Sequence, residues 1–389
     1  MPPGAGFPDT AGVTSTLTAE RVRGDVEVLS RAGLDLETFL SEAVASVSRA
    51  VPSVAVCIGT HDPATRMLTS SRKFGALVGQ DSHDGLFGEL EYDSEEPTAY
   101  RALARTDVRS LGVSLWTDGE VERSERMTRL MVPEFAFHDE ARLLFKENDR
   151  FWGGMAMFRG ADDPSFSATE IDFLALLSEY FARGVRSGML TRMADIAGVA
   201  PVEGPAVMVV DAHGDLVQGT PAAAARLAEM RSGAHSGDPI GTITALVGAA
   251  RRLAQGEVDS VPRARVRTAT GMWLVLHASP LSGLGDRAGE VVVTIEEARP
   301  PEIVSLVVAA FDLTARERDV TQLVLQGVDT KEIAATLHMS AYTVQDHLKS
   351  VFDKADVRSR RELIARVFFD QYVPRMGDEV GPTGFFGSA

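Results

Sequence analysis

Repeated helix-start signals near the C-terminus constrain the fold of this chain more than any other sequence feature. In a capping box, a Ser, Thr or Asp side chain accepts a hydrogen bond from the backbone three residues on, and a Glu at that position reaches back. Ser340 adds a simple cap. The signals predict an all-α domain of four helices, whose second and third, Lys331–Leu337 and Ala341–Lys354, form a helix-turn-helix. The three boxes are Thr314–Glu317, Asp329–Glu332 and Ser359–Glu362.

The third of these helices has two chemically distinct faces. At 100° per residue, Val344, Leu348 and Val351 fall on one apolar stripe. Amide, carboxylate and ammonium groups one turn apart on the other face suit the base edges in a DNA major groove, and the cations that follow suit its phosphates. The polar face carries Tyr342, Gln345, Asp346, Lys349 and Asp353, and the cations are Lys354, Arg358, Arg360 and Arg361.

A family pattern runs through the same region. It consists of Leu313-Thr-Ala-Arg-Glu-Arg318, Gly327, Lys331-Glu-Ile-Ala334, Ser340, Thr343-Val344, His347-Leu348-Lys349, Lys354 and Val357-Arg-Ser-Arg360. This pattern resembles the LuxR-type helix-turn-helix domain. The resemblance implies that the third helix enters the major groove and that the fourth makes a dimer contact. The implied base-reading positions are Gln345, Asp346 and Lys349, the backbone positions Thr343, Lys354 and Arg358, and the dimer positions Leu363, Ile364 and Val367.

One pair departs from the family pattern, which commonly has Lys followed by Asn or another neutral residue where this chain has Gln345-Asp346. We expect Gln345 to read adenine and Asp346 to accept from cytosine. Loss of the cation predicts weaker non-specific binding and a shallower salt dependence. Two alternatives stay open: Asp346 pairs with Lys349 or Ser350 on a solvated face, and His347 is a packing residue. For Glu317 we expect pairing inside the domain.

Residues 21–192 predict an α+β unit with a sheet between flanking helices. Leu36, Leu40, Val44 and Val47 share a helical face, and Val51–Ile58 predicts a strand. Further strands are predicted near Met67–Ser71 and over Ala141–Lys146 and Phe151–Arg159, and Ser167–Glu170 opens a closing helix. Asp81–Glu96 holds seven acids and no Lys or Arg, which predicts a solvated loop. The run Phe151–Phe158, the acidic loop and Phe166-Ser167 resemble the GAF family, which implies ligand binding and dimerisation.

Residues 201–298 predict a second α+β unit. Strand patterns occupy Ala206–Val210 and Leu216–Gln218, a helix is predicted over Ala222–Glu229, and three strands follow. Alternation in the last strands favours an antiparallel sheet with one buried face. The succession resembles a PAS domain. The last three strands are predicted at Ala264–Thr268, Trp273–Ser279 and Val291–Glu296.

Composition excludes several classes of protein. The net charge of −16 argues against wholesale polyanion binding, and the single Cys57 excludes an intramolecular disulfide framework. Apolar runs are shorter than the roughly 20 residues that span a bilayer, and no secretory signal is evident, so we expect a cytoplasmic protein that contacts no membrane. No phosphate loop, zinc motif or serine elbow occurs, so we expect no catalytic site, metal or cofactor. Residues 1–20 and 376–389 are predicted to be disordered.

These observations predict a multidomain bacterial transcription regulator, with a DNA-binding unit over residues 302–375. The expected partners are double-stranded DNA and a second copy of the chain, with RNA polymerase and an unnamed small molecule as further candidates. We expect the upstream units to set dimer geometry or to occlude the DNA-binding unit, with helix Glu302–Phe311 transmitting the signal. Two alternatives remain: a constitutive regulator with purely dimerising upstream units, and a protein-binding adaptor whose DNA-binding unit is degenerate.

Overall fold

The computed structural model describes residues 10–190, 204–231, 239–257, 261–268, 272–281 and 289–368, with the short strands 379–380 and 386–387. The predicted disorder of residues 1–9, and of most of 376–389, lies outside the described residues. Among the helices of the described residues, none combines the length and the apolar character needed to cross a membrane.

The first unit is a five-stranded antiparallel sheet with helices on both faces. Its strand order is β2-β1-β5-β4-β3. Alternate residues of β1 and β5 face opposite ways, so Val56 and Met157 join the core under α1, α2 and α7, while Ala156 joins a second cluster on the other face. The elements are α1 (Thr10–Arg31), α2 (Leu36–Val47), β1 (Ala55–His61), β2 (Leu68–Gly75), α3 (Asp84–Tyr92), α4 (Tyr100–Leu103), β3 (Ser110–Gly112), α5 (Val113–Trp116), α6 (Val132–Phe135), β4 (Phe137–Glu147), β5 (Arg150–Gly160) and α7 (Ala168–Leu190).

Close packing of α2 on α7 depends on a glycine. The Phe39 and Phe181 rings meet edge to face at 5.8 Å. A Cβ at Gly184 would lie 2.1 Å from the Phe39 ring, so only glycine fits under that ring. The predicted capping box at the start of α7 is present: Glu170 Oε2 accepts from the Ser167 backbone N–H at 2.8 Å, and Ser167 Oγ accepts from the Glu170 N–H at 3.3 Å.

The second unit contains another antiparallel sheet, of order β7-β6-β10-β9-β8, which repeats the connectivity of the first. Its predicted strands and first helix are present. Helix α9, which the sequence pattern did not predict, packs on α3 of the first unit and on β9. The elements are β6 (Ala206–Val210), β7 (Leu216–Gly219), α8 (Pro221–Met230), α9 (Ile240–Ala254), β8 (Arg263–Arg267), β9 (Trp273–Pro280) and β10 (Val291–Glu297).

The C-terminal part of the described chain is helical, and its helices begin at the predicted caps. Thr314 and Glu317 form a complete capping box, and Asp329 Oδ1 accepts from the backbone N–H groups of Lys331 and Glu332 at 2.8 and 3.0 Å. The predicted third helix has the observed bounds. The helices are α10 (Pro300–Ala310), α11 (Ala315–Leu325), α12 (Thr330–Thr336), α13 (Ala341–Lys354) and α14 (Arg360–Phe368).

Helix α10 belongs to two cores at once. Ile303 and Leu306, which are 1% and 2% exposed, join the core of the first unit. Val307 and Phe311 join the core of the C-terminal helices. Apolar side chains of this helix therefore pack against both the first unit and the C-terminal helices of the same chain.

Arg265 of β8 ties three parts of the molecule together. It is fully buried and donates to Asp62, which follows β1, with Nη2 and Oδ1 2.6 Å apart. Its Nη1 also donates to the Glu302 carbonyl and to Ser305 Oγ of α10, at 2.9 and 2.8 Å. One guanidinium thus links the first sheet, the second sheet and α10.

Two sequence expectations are wrong. Residues 10–20 form the start of α1, where we expected disorder. The acidic stretch is not a solvated loop: most of it forms α3, and Asp84, Glu91 and Glu96 are buried because Lys73, Arg126 and Arg142 supply partners from elsewhere in the fold. In the tail, Glu379–Val380 pairs with Phe386–Gly387.

Candidate nucleic-acid interface

The turn between α12 and α13 sets the orientation of α13, the helix predicted to enter the DNA major groove. His338 has φ of 53°, a left-handed conformation that turns the chain sharply after α12. Ser340 Oγ then accepts from the Thr343 backbone N–H at 3.0 Å and caps α13. A short turn with a capped second helix is the arrangement expected of a helix-turn-helix.

The two predicted faces of α13 are present. Val344 and Val351 are fully buried and Leu348 is 8% exposed, and these side chains pack in one core with α11 and α12. The opposite face projects outward, where Tyr342 is 76% exposed. Burial of the stripe therefore fixes the rotation of the helix and directs its polar side chains away from the protein.

The three predicted base-reading residues lie together on this open face. Gln345, Asp346 and Lys349 are all exposed. In the described part of the chain none of their side chains makes a hydrogen bond or an ion pair, so the alternative that Asp346 pairs with Lys349 or Ser350 is not observed. Ser350 Oγ instead donates to Glu317 Oε1 at 2.6 Å. His347 is half-buried beside the stripe.

Glu317 organises the polar contacts between α11 and α13, in agreement with the expected pairing inside the domain. Its Oε2 accepts from Lys354 Nζ at 2.7 Å, and Lys354 Nζ also donates to the Asp312 carbonyl at 3.1 Å. Burial alone would raise the pKa of Glu317, but hydrogen bonds from Lys354, Ser350 and Thr314 lower the pKa to about 2. The carboxylate is thus charged at neutral pH and already neutralises Lys354, one of the predicted phosphate contacts.

Of the other residues predicted to contact the DNA backbone, two have hydrogen-bond partners within the domain and two have exposed side chains. Arg360 Nη2 donates to the Val328 carbonyl, and Thr343 Oγ1 shares a hydrogen bond of 2.8 Å with Ser340 Oγ. Arg358 and Arg361 are exposed. Among described residues, neither guanidinium has an ion-pair partner, which leaves these two cations best placed for phosphate.

The predicted dimer contact requires a correction. Leu363 and Val367 are 0% and 1% exposed and belong to the core of the C-terminal helices. Helix α10 packs against α14 and helps to bury them. They are therefore unavailable to a second copy in this structure, and of the three predicted residues only Ile364 is half-exposed.

One exposed residue was not among the predicted contacts. Tyr342 precedes Gln345 and Asp346 by three and four residues, so the three side chains share a face of α13. Its place on the polar face was readable from the sequence, but its high exposure was not. Within the residues that the structure describes, no group of three His, Cys, Asp or Glu side chains is arranged to hold a metal ion.

The C-terminal helical region is similar in sequence to known bacterial regulatory proteins. Residues 312–367 match the family described as bacterial regulatory proteins, luxR family. The chain is 41% identical over 56 residues to the monoamine regulon transcriptional regulator of Klebsiella aerogenes, a match that covers 14% of this chain and 25% of that protein. Among solved structures, a GAF domain of A. aeolicus nlh2 aligns with 44% of this chain and 96% of its own at 10% identity, with a TM-score of 0.30. That score supports no conclusion about fold.

A shorter relative is matched over most of its length. The spore germination protein GerE of Bacillus subtilis is 36% identical to this chain over 66 residues, which make up 17% of this chain and 81% of GerE. The match to the family pattern thus extends over nearly a whole member. On this basis the chain belongs to the luxR family of bacterial regulatory proteins.

Proposed function

We propose that this protein is a sequence-specific DNA-binding transcription regulator whose helix α13 reads the major groove. The observation that carries the proposal is the open face of Gln345, Asp346 and Lys349. An amide, a carboxylate and an ammonium within one helical turn offer the hydrogen-bonding groups that distinguish base pairs: Gln for adenine, Asp for the cytosine amino group and Lys for guanine.

Affinity in this proposal comes from base contacts more than from phosphate neutralisation. Residues 303–375 contain ten acidic and ten basic side chains and so have no net charge. Lys354 and Arg360 are engaged inside the domain, which leaves Arg358 and Arg361 as the principal phosphate contacts near α13. Because each neutralised phosphate adds about 0.9 to the slope of log affinity against log salt, we expect a shallow salt dependence.

The upstream parts, residues 21–192 and 201–298, are proposed to be GAF-like and PAS-like sensory units that act through α10. Nothing in the described residues covers the polar face of α13, which disfavours occlusion of the reading face in this conformation. By contrast, α10 packs on α14 at one side and on α7 at the other. A signal in the upstream units would shift α10 and thereby the position of α14, the helix proposed to lie at the dimer axis.

A homodimer is proposed because one α13 reads only a few base pairs. Two copies would place two reading helices one turn of DNA apart, about 34 Å, on a site with two-fold symmetry. Ile364 of α14 is the predicted dimer residue that remains accessible. RNA polymerase is proposed as a further partner of the assembled regulator.

The absence of net charge over residues 303–375 also favours a second candidate, a protein-binding adaptor whose helical unit no longer binds DNA. Selection of duplexes from a random pool by the full chain, at two salt concentrations, separates the two. A regulator enriches one two-fold-symmetric site at both concentrations. An adaptor enriches none.

A further inference from the structure

A cavity lies on the face of the first sheet opposite α7, under α3. Its empty volume is about 710 Å³, a figure that includes open solvent at the mouth. It opens to solvent near the exposed Gln80. Most of the wall is apolar, formed by side chains such as Leu68, Leu77, Phe87, Leu130, Met131 and Phe158.

The charged groups in the wall are satisfied by one another. Lys73 Nζ contacts Asp84 Oδ1 at 2.5 Å, Asp81 Oδ1 at 2.7 Å and the Gln80 carbonyl at 2.8 Å. An ammonium has three donor hydrogens, so these three acceptors use them all. The side chain of Asp81 is 43% exposed, so water screens its charge. Among the described residues, Lys73 therefore has no donor hydrogen left for an anionic ligand.

One hydroxyl in the wall lacks a partner. Tyr100 is 4% exposed, and among the described residues its hydroxyl makes no hydrogen bond. The ring is fixed because Arg142 lies over it, with Cζ 3.8 Å from the ring centroid, and because a Cβ at Gly154 would lie 2.3 Å from its edge. A buried polar group without a hydrogen-bond partner destabilises the fold. A ligand atom that pairs with this hydroxyl would recover that loss.

One histidine of the wall, His61, is neutral. His61 Nε2 and Tyr92 Oη are 2.6 Å apart, and burial lowers the pKa of His61 to about 4. The imidazole therefore adds no charge to the wall at neutral pH.

The second unit closes one side of the cavity. Gly241 of α9 contributes to the wall. Helix α3, which supplies Phe87 and Tyr92, packs so tightly on α9 that a Cβ at Gly88 would lie 2.9 Å from Thr244 Cβ. A molecule in the cavity would touch both units and stabilise the contact between them.

We propose that this cavity binds a small, uncharged, largely apolar molecule, such as a hydroxylated aromatic, whose single polar group hydrogen-bonds the Tyr100 hydroxyl. The apolar wall selects against charge, and the unpartnered hydroxyl favours a ligand that carries a hydrogen-bonding group. The assignment does not rest on DNA recognition, because its test measures only the binding of a small molecule to the full chain.

Three fluorinated probes of similar shape test the chemistry by fluorine NMR line broadening with the full chain at pH 7. They are 4-fluorophenol, fluorobenzene and 4-fluorobenzoate. We expect 4-fluorophenol to bind roughly threefold to tenfold more tightly than fluorobenzene, the range that one net hydrogen bond provides. We expect no detectable binding of the anion. Equal binding of the first two, tightest binding of 4-fluorobenzoate, or no broadening with any probe would overturn the proposal.

The variant Tyr100→Phe locates the hydrogen bond. It retains the ring under Arg142 and removes the hydroxyl, so the preference for 4-fluorophenol over fluorobenzene should disappear. Tyr180→Phe on α7, outside the cavity, is the matched control and should keep the wild-type preference. A preference that survives Tyr100→Phe would show that the phenol binds elsewhere and would contradict the assignment.

The chain carries its own reporter if Tyr100→Phe does not fold. Cys57 is the only cysteine of the chain and lines the cavity. In the wild-type protein, added 4-fluorophenol should slow the labelling of Cys57 by methyl methanethiosulfonate. The concentration dependence of this slowing should give the same dissociation constant as NMR. Added 4-fluorobenzoate should not change the labelling rate. A labelling rate that stays unchanged at a saturating concentration of 4-fluorophenol would overturn the proposal.

Discussion

Lys349 carries the most direct prediction for a single residue. Its ammonium is exposed and, among described residues, has no partner, so its removal costs the fold little. We expect Lys349→Ala to weaken binding to the selected duplex by about 1–3 kcal/mol, the value of one base contact. Fluorescence anisotropy at one fixed salt concentration measures this loss. Arg23→Ala removes an exposed cation of α1 and should bind as wild type. Equal losses of affinity in both variants would show that the total charge of the protein, and not a base contact of Lys349, determines the affinity.

Glu317 gives a pH-dependent prediction. Hydrogen bonds from Lys354, Ser350 and Thr314 hold its pKa at about 2, below that of an unfolded glutamate. A lowered carboxyl pKa stabilises the fold above the unfolded value, near pH 4.3, and this contribution is lost as the pH falls through about 2. We expect Glu317→Gln to lower the stability of the C-terminal helices by about 1–2 kcal/mol at pH 7.

Thermal unfolding of the wild type and of Glu317→Gln between pH 7 and pH 3 tests this assignment. The gap between the two melting temperatures should stay constant down to about pH 4.5 and narrow below it. A gap that widens in acid would contradict the charged state given to this carboxylate.

At the scale of elements, α10 is the link between the upstream units and the C-terminal helices α11–α14. Leu306 is 2% exposed in the core that α10 shares with the first unit, so Leu306→Ala should cost about 2–5 kcal/mol. In calorimetry of Leu306→Ala, we expect the C-terminal helices to unfold in a transition separate from that of the upstream units. Leu176→Ala, at an exposed position of α7, is the control. A single unchanged transition in Leu306→Ala would show that α10 is not the link.

The C-terminal helices were predictable because their caps are local sequence features. The upstream elements were less predictable because their burial depends on partners from other parts of the chain. Caps such as Thr314 and Ser340 act within four residues, so the sequence itself contains the helix starts. Helix α9 was not predicted because it is buried on most sides and its start, Ile240–Thr244, is rich in β-branched residues, which favour strands over helices. The burial of the acids of α3 was not predicted because their partners come from other elements: Lys73 of β2 pairs with Asp84, and Arg126 and Arg142 pair with Glu91.

The candidate site was predictable to the same degree. The polar face of α13 followed from helical periodicity, which is a local property. The engagement of Lys354 by Glu317, and the burial of Leu363 and Val367 under α10, depend on how separate helices pack. Those contacts became visible only in the folded chain.

At the scale of the whole molecule, Arg265 holds the two sheets and α10 in one arrangement. Arg265→Met retains the stem but leaves Asp62 without its partner in a fully buried position, which should cost about 3–5 kcal/mol. The double variant with Asp62→Leu removes the unpaired charge and should recover most of that loss. Urea unfolding of the wild type, both single variants and the double variant measures the coupling. Additive losses would show that the pair does not act as a unit.

The central claim is that α13 reads bases, and a change of specificity tests it most directly. Gln345→Lys replaces an adenine-reading amide with a guanine-reading ammonium and leaves the rest of α13 unchanged. Selection from a random duplex pool, run in parallel with the wild type, should yield the same two-fold-symmetric site with A·T changed to G·C at one position in each half. Selection of an identical site by both proteins, or of no site by either, would contradict the account.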